Sequence, residues 1–412
     1  MTQISDIDLL DRDFAACPHA AYATMRSQAP VCRVTLPDGR DGWLVTQYEG
    51  VRRVLQDHAR FSNRSLLGQA VEMPEITPQG RAVIGLSSDV MLGFDPPEHS
   101  RLREPVGKAF TPRLVESLRP YIAALAEELL DAVEARALRD GDRTIDLISD
   151  YAFLLPMSVI MQLLGIPAGD REDMSRWCGA MATLDGSVAN AERIGPQIDE
   201  FIQYIKALVE HKRREPAEDL VSALVADLGQ DEALTEEELV PMVFLLIFAG
   251  HETTTHLIGN GILALLSDPS QLAKLRADPA LVDRAVEEFL RYDNSVTIPQ
   301  PRLAVTDVEL GGMTIKAGDP VLPVITSANR DEQRFEAPDT LDISRTNNRH
   351  LAFGRGIHTC PGAPLARMEA KIAIETLLRR MPDLSLAVAP EQLDWRPGGL
   401  HLRGLSALPL HF

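Results

Sequence analysis

Apolar residues recur three and four positions apart over long stretches of the chain. Leu114 to Leu138 shows this spacing, and Ser149 to Leu164 and Gly195 to Arg213 repeat it. Each predicts an amphipathic helix. Thr235 precedes Glu236, Glu237, Glu238 and an apolar run. Thr235 with Glu238 has the form of a capping box, in which each residue satisfies a free backbone N–H of the other. The helix so opened is predicted to run to about Ser267, with Pro241 either kinking it or marking its true start. Two more helical stretches follow Asp268-Pro269, the second ending near Tyr292, and a last long helix is predicted over Pro364–Arg380.

The pattern switches at Ser295. Apolar residues alternate through 296–325 around a Gly311-Gly312 turn, which predicts strands and a hairpin. Residues 43–57 read as a strand running into a short helix. The tail, with Gly398-Gly399, reads as turns and short strands. The β-containing parts are thus expected near 31–47, 296–325 and 384–412. Residues 64–95 are rich in Gly, Pro and Met without a clear period, and irregular segments of that length are usually functional or mobile. No repeat, low-complexity tract or linker interrupts the chain. The reading is one mainly α unit with a small β portion, spanning 1–412.

Composition narrows the function. The net charge of −19 argues against nucleic-acid binding, which needs a concentrated positive surface, and against adhesion to anionic membranes. No run reaches the ~20 apolar residues of a membrane span. The longest candidate, Leu239 to Ala249, is short and contains Pro241. The acidic N-terminus lacks the apolar core of a signal peptide, so a cytoplasmic location is expected. Cys17, Cys32, Cys178 and Cys360 are scattered, with no C-x-x-C pair, which disfavours a zinc site or a disulfide framework.

Three short segments carry candidate chemistry. Cys360 lies in Phe353-Gly354-Arg355-Gly356-Ile357-His358-Thr359-Cys360-Pro361-Gly362, a glycine-rich loop ahead of the last helix. A metal-bound thiolate presented from such a turn can be tuned by backbone amides aimed at its sulfur. Pro361 has no N–H, so that task falls to Gly362 or later residues. Ala249-Gly250-His251-Glu252-Thr253-Thr254 interrupts an apolar helical run with residues that disfavour helix interiors. A hydroxyl and a neighbouring acid there could serve proton transfer. Glu288 and Arg291, at i and i+3, share one helix face.

Taken together, FGRGIHTCPGAPLAR resembles the full cysteine-loop signature of the cytochrome P-450 family, and the resemblance extends over nearly the whole chain. It implies a single-domain cytochrome P-450-like fold carrying haem b, with Cys360 as axial ligand and Phe353 and Gly362 in the haem-binding loop. It assigns Glu252 and Thr253 to oxygen activation, with Ala249 and Gly250 flanking the oxygen pocket. Glu288, Arg291 and Arg345 match the family's structural Glu–Arg–Arg network, Arg349 being a nearby alternative to Arg345. His99 and Arg103, after Asp95-Pro96-Pro97-Glu98, together with Arg302 and His358, match the haem-propionate partners, and His350 is a weaker addition. The implied substrate pocket includes Leu92, Phe94, Leu245, Ala249, Val296, Ile298, Pro299 and Leu400, an apolar set suited to a hydrophobic molecule.

The implied reaction is a monooxygenation, in which one atom of O2 enters the substrate and the other leaves as water. Hydroxylation and epoxidation share this machinery. The closest look is to soluble bacterial members of secondary metabolism that act on polyketides and macrolides. The chain holds no flavin or iron–sulfur motif, so electrons are expected from a separate ferredoxin and an NAD(P)H-dependent reductase, with Lys108, Arg113, Arg355 and Arg367 as docking candidates. A monomer is expected.

Overall fold

The computed structural model describes residue 14 and residues 16–36, 40–64, 90–181, 188–229, 234–396 and 401–412. Helices dominate. In chain order the main ones are α1 His19–Gln28, α2 Tyr48–Gln56, α3 Glu98–Ala109, α4 Pro112–Asp140, α5 Leu154–Leu164, α6 Arg171–Met181, α7 Val188–Arg214, α8 Leu220–Ala226, α9 Glu236–Ser267, α10 Pro269–Ala277, α11 Val282–Tyr292 and α12 Ala363–Arg380.

Local chemistry fixes where these helices begin. Thr235 accepts a hydrogen bond from Glu238 N, while Glu238 Oε2 accepts one from Thr235 N, so the capping box at α9 is complete. The helix runs through Pro241 to Ser267, so the proline does not mark its start. Arg101 of α3 also donates to Glu238, tying the two helix starts together. Thr111 caps α4, and Gly141, at φ +70°, ends it. The stretch read as one helix from Ser149 divides into a π-helical turn, Ile148–Ala152, and α5. The helix read from Gly195 begins earlier, at Val188.

α9 is the axis of the molecule and packs against α5, α7, α11 and α12. Gly250 lets α5 approach closely, since a Cβ there would lie 2.9 Å from Ile160 Cδ1. The large core around α9 contains Leu130, Tyr151, Phe201, Ile247, Ile262, Phe289 and Ile374, all essentially inaccessible.

The β portion is small. One sheet has the order β1-β2-β8-β5-β3, from β1 Val31–Thr35, β2 Asp41–Val45, β3 Phe61–Ser62, β5 Arg302–Ala304 and β8 Pro320–Pro323. β2 and β8 run parallel, with Trp43 opposite Val321, and the other pairs are antiparallel. Alternation along β2 sends Trp43 and Val45 into one cluster with Val51 and Phe61, and Leu44 into another with Tyr22, Met25 and Leu322. β4 Thr144–Asp146, β10 Pro409–His411 and β9 Ser385–Leu386 form a second sheet. β6 Val308–Leu310 and β7 Met313–Ile315 form the hairpin, turning at Gly311-Gly312 as the sequence predicts. Among the described residues no helix is long and apolar enough to cross a membrane.

Candidate active site

Cys360 leads into α12. Its amide donates to Phe353 O at 2.9 Å, closing the loop. Gly356 takes φ +78°, and a Cβ there would stand 2.8 Å from Leu55 O, so this turn admits only glycine without movement of backbone. Burial pushes the Cys360 thiol up. Against this, the backbone N–H groups of Gly362 and Ala363 hydrogen-bond the sulfur, and Arg103 and Arg367 lie near enough to favour its anion. The amides that Pro361 cannot supply thus come from the two residues after it. Phe353 packs beside this loop with the Arg367 guanidinium 4.5 Å over its ring, and Arg367 is in turn paired with Glu287 at 2.6 Å. His350 also turns to Glu287, at 3.1 Å, and so belongs to this ion-pair group rather than to the propionate set.

Four sequence-predicted residues converge in front of Cys360. The His99 and His358 rings meet with centroids 4.3 Å apart. His99 Nε2 and both ring nitrogens of His358 are buried without a hydrogen-bond partner among the described residues. Burial lowers His99 to about 4 and His358 to about 2, and neighbouring cations add to the effect, Arg103 for His99 and Arg302 for His358. Arg302 is 3% exposed, and burial brings it down to about 10. Its guanidinium donates to Gln300 O at 2.9 Å, and no carboxylate lies within ion-pair range among the described residues. Arg103 donates to Thr359 O, next to the cysteine. Buried cationic and imidazole groups left without anions are costly unless a ligand pairs with them. A group carrying carboxylates on one edge and a metal for the Cys360 sulfur fits these residues. Gln300 Nε2, also buried and unpartnered, belongs to this neighbourhood but was not evident in the sequence.

On α9 the Thr253 hydroxyl donates to Ala249 O at 3.0 Å, and Ser295 Oγ donates to Thr253 O at 2.6 Å. Ala249 is exposed in mid-helix, where its neighbours Phe244, Leu246 and Ile247 are buried, so the helix opens onto a space at this point. Glu252 is buried and does not face water. Its carboxylate contacts His251, His256 and Arg396. Burial alone would raise its titration, but the close approach of the two histidines outweighs that and holds it well below the usual carboxylate range.

A second acid, Glu369 of α12, points at α9. It is 2% exposed, burial raises it well above the ordinary glutamate value, and its hydrogen bond from the Thr254 hydroxyl offsets that only in part. The sequence reading missed Glu369, although an acid on the apolar face of the helix after Cys360 is itself a signal.

Glu288 is fully buried. It accepts from Arg291 Nε and Nη2 at 2.9 and 2.7 Å, from Arg345 Nε at 3.1 Å, from Asn348 Nδ2 at 3.1 Å and from Asp342 N at 3.0 Å. Arg345, not Arg349, is therefore the third member of the network.

The pocket residues divide. Leu92, Phe94, Leu245, Val296 and Pro299 are half-buried. Ile298 is fully buried in the cluster of Tyr22, Leu44 and Leu322, in the irregular segment ahead of β5. Leu400, Gly398 and Gly399 lie outside the described residues, as does most of the 64–95 segment.

A family model described as Cytochrome P450 matches residues 22–383. The chain belongs to the cytochrome P450 family. It is 44% identical over 414 residues to cytochrome P450 monooxygenase PikC of Streptomyces venezuelae, covering 99% of this chain and 94% of that protein. It is 41% identical over 391 residues to mycinamicin IV hydroxylase/epoxidase of Micromonospora griseorubida, covering 94% of each. The solved structure of PksS, the cytochrome P450 of the bacillaene polyketide synthase of Bacillus subtilis 168, superposes with a TM-score of 0.88 at 39% identity, over 98% of this chain and 99% of that one. The family binds haem b through a cysteine thiolate. The chain is accordingly a haem-dependent monooxygenase, an oxidoreductase that inserts one oxygen atom from O2 into a hydrophobic organic substrate and requires a redox partner.

Proposed function

We propose that Cys360 Sγ would ligate the haem iron and that His99, Arg103, Arg302 and His358 would receive the propionates. One observation supports this above the others. The sulfur, favoured as an anion by the Gly362 and Ala363 amides, lies beside His99, His358 and Arg302, whose buried polar groups have no carboxylate partner among the described residues. Bound haem supplies activation of O2 and oxygen transfer, and a thiolate ligand favours O–O cleavage. The protein's residues then have separable tasks. The Gly362 and Ala363 amides stabilise the thiolate. Thr253, whose proton is committed to Ala249 O, offers its lone pairs to a ligand on the open side of α9 and donates only when that bond breaks. Glu252 governs proton supply beside it. Leu92, Phe94, Leu245, Ala249, Val296 and Pro299 offer an apolar wall that holds substrate and excludes water.

The substrate class we propose is a polyketide or macrolide of bacterial secondary metabolism, on the strength of the mycinamicin hydroxylase/epoxidase and bacillaene-synthase relatives. Electrons come from a separate ferredoxin served by an NAD(P)H-dependent reductase, and the enzyme works as a cytoplasmic monomer. Lys108, Arg113 and Arg355 are exposed and suit an acidic partner, although Lys108 is paired with Glu104 at 3.4 Å. Arg367 is tied to Glu287 and contributes less.

The deciding experiment is the spectrum of reduced, CO-treated protein. A strongly red-shifted Soret band is expected in the wild type and its loss in Cys360→Ser. Survival of that band in the variant would place the ligand elsewhere. Thr253→Ala should uncouple reductant consumption from product, and undiminished coupling would remove its role.

A further inference from the structure

The surroundings of Glu252 say more about proton supply than the acid–alcohol pair alone. Glu252 Oε2 lies 3.3 Å from His251 Nε2, and Oε1 lies 3.3 Å from His256 Nε2 while also taking Arg396 Nη1. His251, Glu252 and His256 come from α9, and Arg396 comes from the C-terminal segment. Among the described residues the Cys178 thiol of α6 also faces this carboxyl, kept protonated by burial and by the Glu252 charge. A carboxylate held so firmly ionised has no proton of its own to give at neutral pH.

The imidazoles do. His251 Nδ1 lies 2.8 Å from Ile247 O, and a carbonyl only accepts, so Nδ1 carries hydrogen. The ring stands edge-on to Phe153 and Phe248, at 5.4 and 6.2 Å, in apolar surroundings. A bare Nε2 there would set a lone pair against an anion at 3.3 Å. The contact is favourable only if Nε2 carries hydrogen as well, which makes the ring an imidazolium. The angle at Nε2 is poor for a hydrogen bond, so the contact is one of charge and a small rotation precedes transfer. His256 approaches the other oxygen from i+4, and neither of its nitrogens has a hydrogen-bond partner. Its ring occupies the space that a side chain at position 404 would need, since a Cβ on Gly404 would fall 1.8 Å from His256 Nδ1.

We propose that the proton consumed beside Thr253 is stored on His251 and His256, that Glu252 shuttles it from them to the oxygen site, and that Arg396 is a positioning residue holding the carboxylate between the two rings. This rests on Glu252 and Thr253 being the acid–alcohol pair. In the transfer an imidazolium Nε2–H bond breaks, a Glu252 O–H bond forms, and the ring is left neutral. The O–H bond then breaks as the proton moves on, and no electrons change hands. Solvent restores the ring's proton at the Arg396 side, where the cluster reaches the surface: Arg396 is 29% exposed and Glu252 2%.

The test compares wild type with His251→Gln, His256→Gln and the double variant, each checked for an intact CO band. Product formed per NAD(P)H and the solvent deuterium isotope effect are followed against pH. In the wild type coupling should fall as pH rises. The double variant should lose at least about tenfold in the proton-dependent step, the low side of general-acid contributions, and lose that alkaline limb, with substrate-binding affinity unchanged. Gly404→Ala should reproduce the His256→Gln effect without removing a titratable group, and if it does not fold, His256→Gln decides. Nitrogen-15 NMR of histidine-labelled ferrous–CO enzyme should show His251 with hydrogen on both nitrogens at neutral pH. A neutral His251, or a double variant with the wild-type pH profile and isotope effect, would overturn the proposal while Glu252→Gln and Thr253→Ala still uncouple. If those two variants stay coupled, the acid–alcohol assignment fails and takes this inference with it.

Discussion

Replacing Arg291 by methionine tests the claim that the cysteine-side core depends on one buried ion pair. The guanidinium is fully buried. Its loss removes two bonds to Glu288 and leaves the carbonyls of Asn329 and Pro338 without the donor that reaches them, while Thr340 O keeps Arg345 Nη2 at 3.4 Å. Breaking a buried pair costs about 3–5 kcal/mol. The lower figure applies, because Glu288 keeps Arg345, Asn348 and the Asp342 amide. Each of the two orphaned carbonyls adds about 1 kcal/mol, for a total of about 5 kcal/mol. At an unfolding entropy of about 2.1 cal/mol/K per residue, a chain of this length loses about 1 °C per 0.9 kcal/mol, so Tm should drop by about 6 °C. Arg380 is the control. It bonds Glu127, Asp131 and Glu134 at the surface, where such pairs contribute about 0–1 kcal/mol each. Arg380→Met should therefore shift Tm by no more than about 3–4 °C. Arg291→Lys, which keeps charge but not the fork, should fall between. Differential scanning calorimetry at matched cofactor content reads all three. Equal shifts for Arg291→Met and Arg380→Met would refute the reasoning.

Other substitutions separate the remaining arguments. Glu369 titrates above its unfolded value, so its proton is bound in the folded state when the unfolded chain has already released it. Stability then falls as pH climbs from about 4.5 toward the raised value, and Glu369→Gln should flatten that slope in Tm-versus-pH profiles; an unchanged slope would show Glu369 ionised. Glu287 behaves oppositely. Burial would raise it, but His350 and Arg367 bring it down to about 2, so its contribution is present above about 4.5 and is lost as pH falls toward 2. Glu287→Gln should remove part of the acid-side loss of Tm, and an identical acid limb would count against the pair. Gly356→Ala faces both a positive φ and a backbone oxygen 2.8 Å away, so it should cost about 1–3 kcal/mol and weaken haem retention in equilibrium gel filtration. Full retention would mean that the loop gives way at no cost.

Much of the site was legible in the sequence because its signals are local and bound to turn or cap chemistry. The glycine loop of Cys360, the Thr235–Glu238 cap and the Gly311-Gly312 hairpin each pair a residue type with a backbone need, and the structure places all three as read. What escaped depends on long-range meetings. Arg396 reaches Glu252 from a segment without period or motif, and Gln300 matters only because its neighbour Arg302 turns inward. The packing of Ile298 with Tyr22 and Leu44 was equally hidden, because those residues lie more than 250 positions away in the sequence. His256 was readable in principle, at i+4 from Glu252, but a histidine in an apolar helix offers no hint of its partner until Gly404 closes over it.

The parallel pairing of β2 with β8 has a consequence for synthesis. Trp43 leaves the ribosome early, while Val321 follows most of a chain later. At 5–20 residues per second the interval is roughly 15–55 s. Throughout it, the inner edge of β2 offers unpaired backbone groups beside apolar side chains, an invitation to neighbouring nascent chains. Slower translation lengthens that interval. Yield in a host cell should thus respond to growth temperature and chaperone supply through this one strand edge, independently of how stable the finished enzyme is.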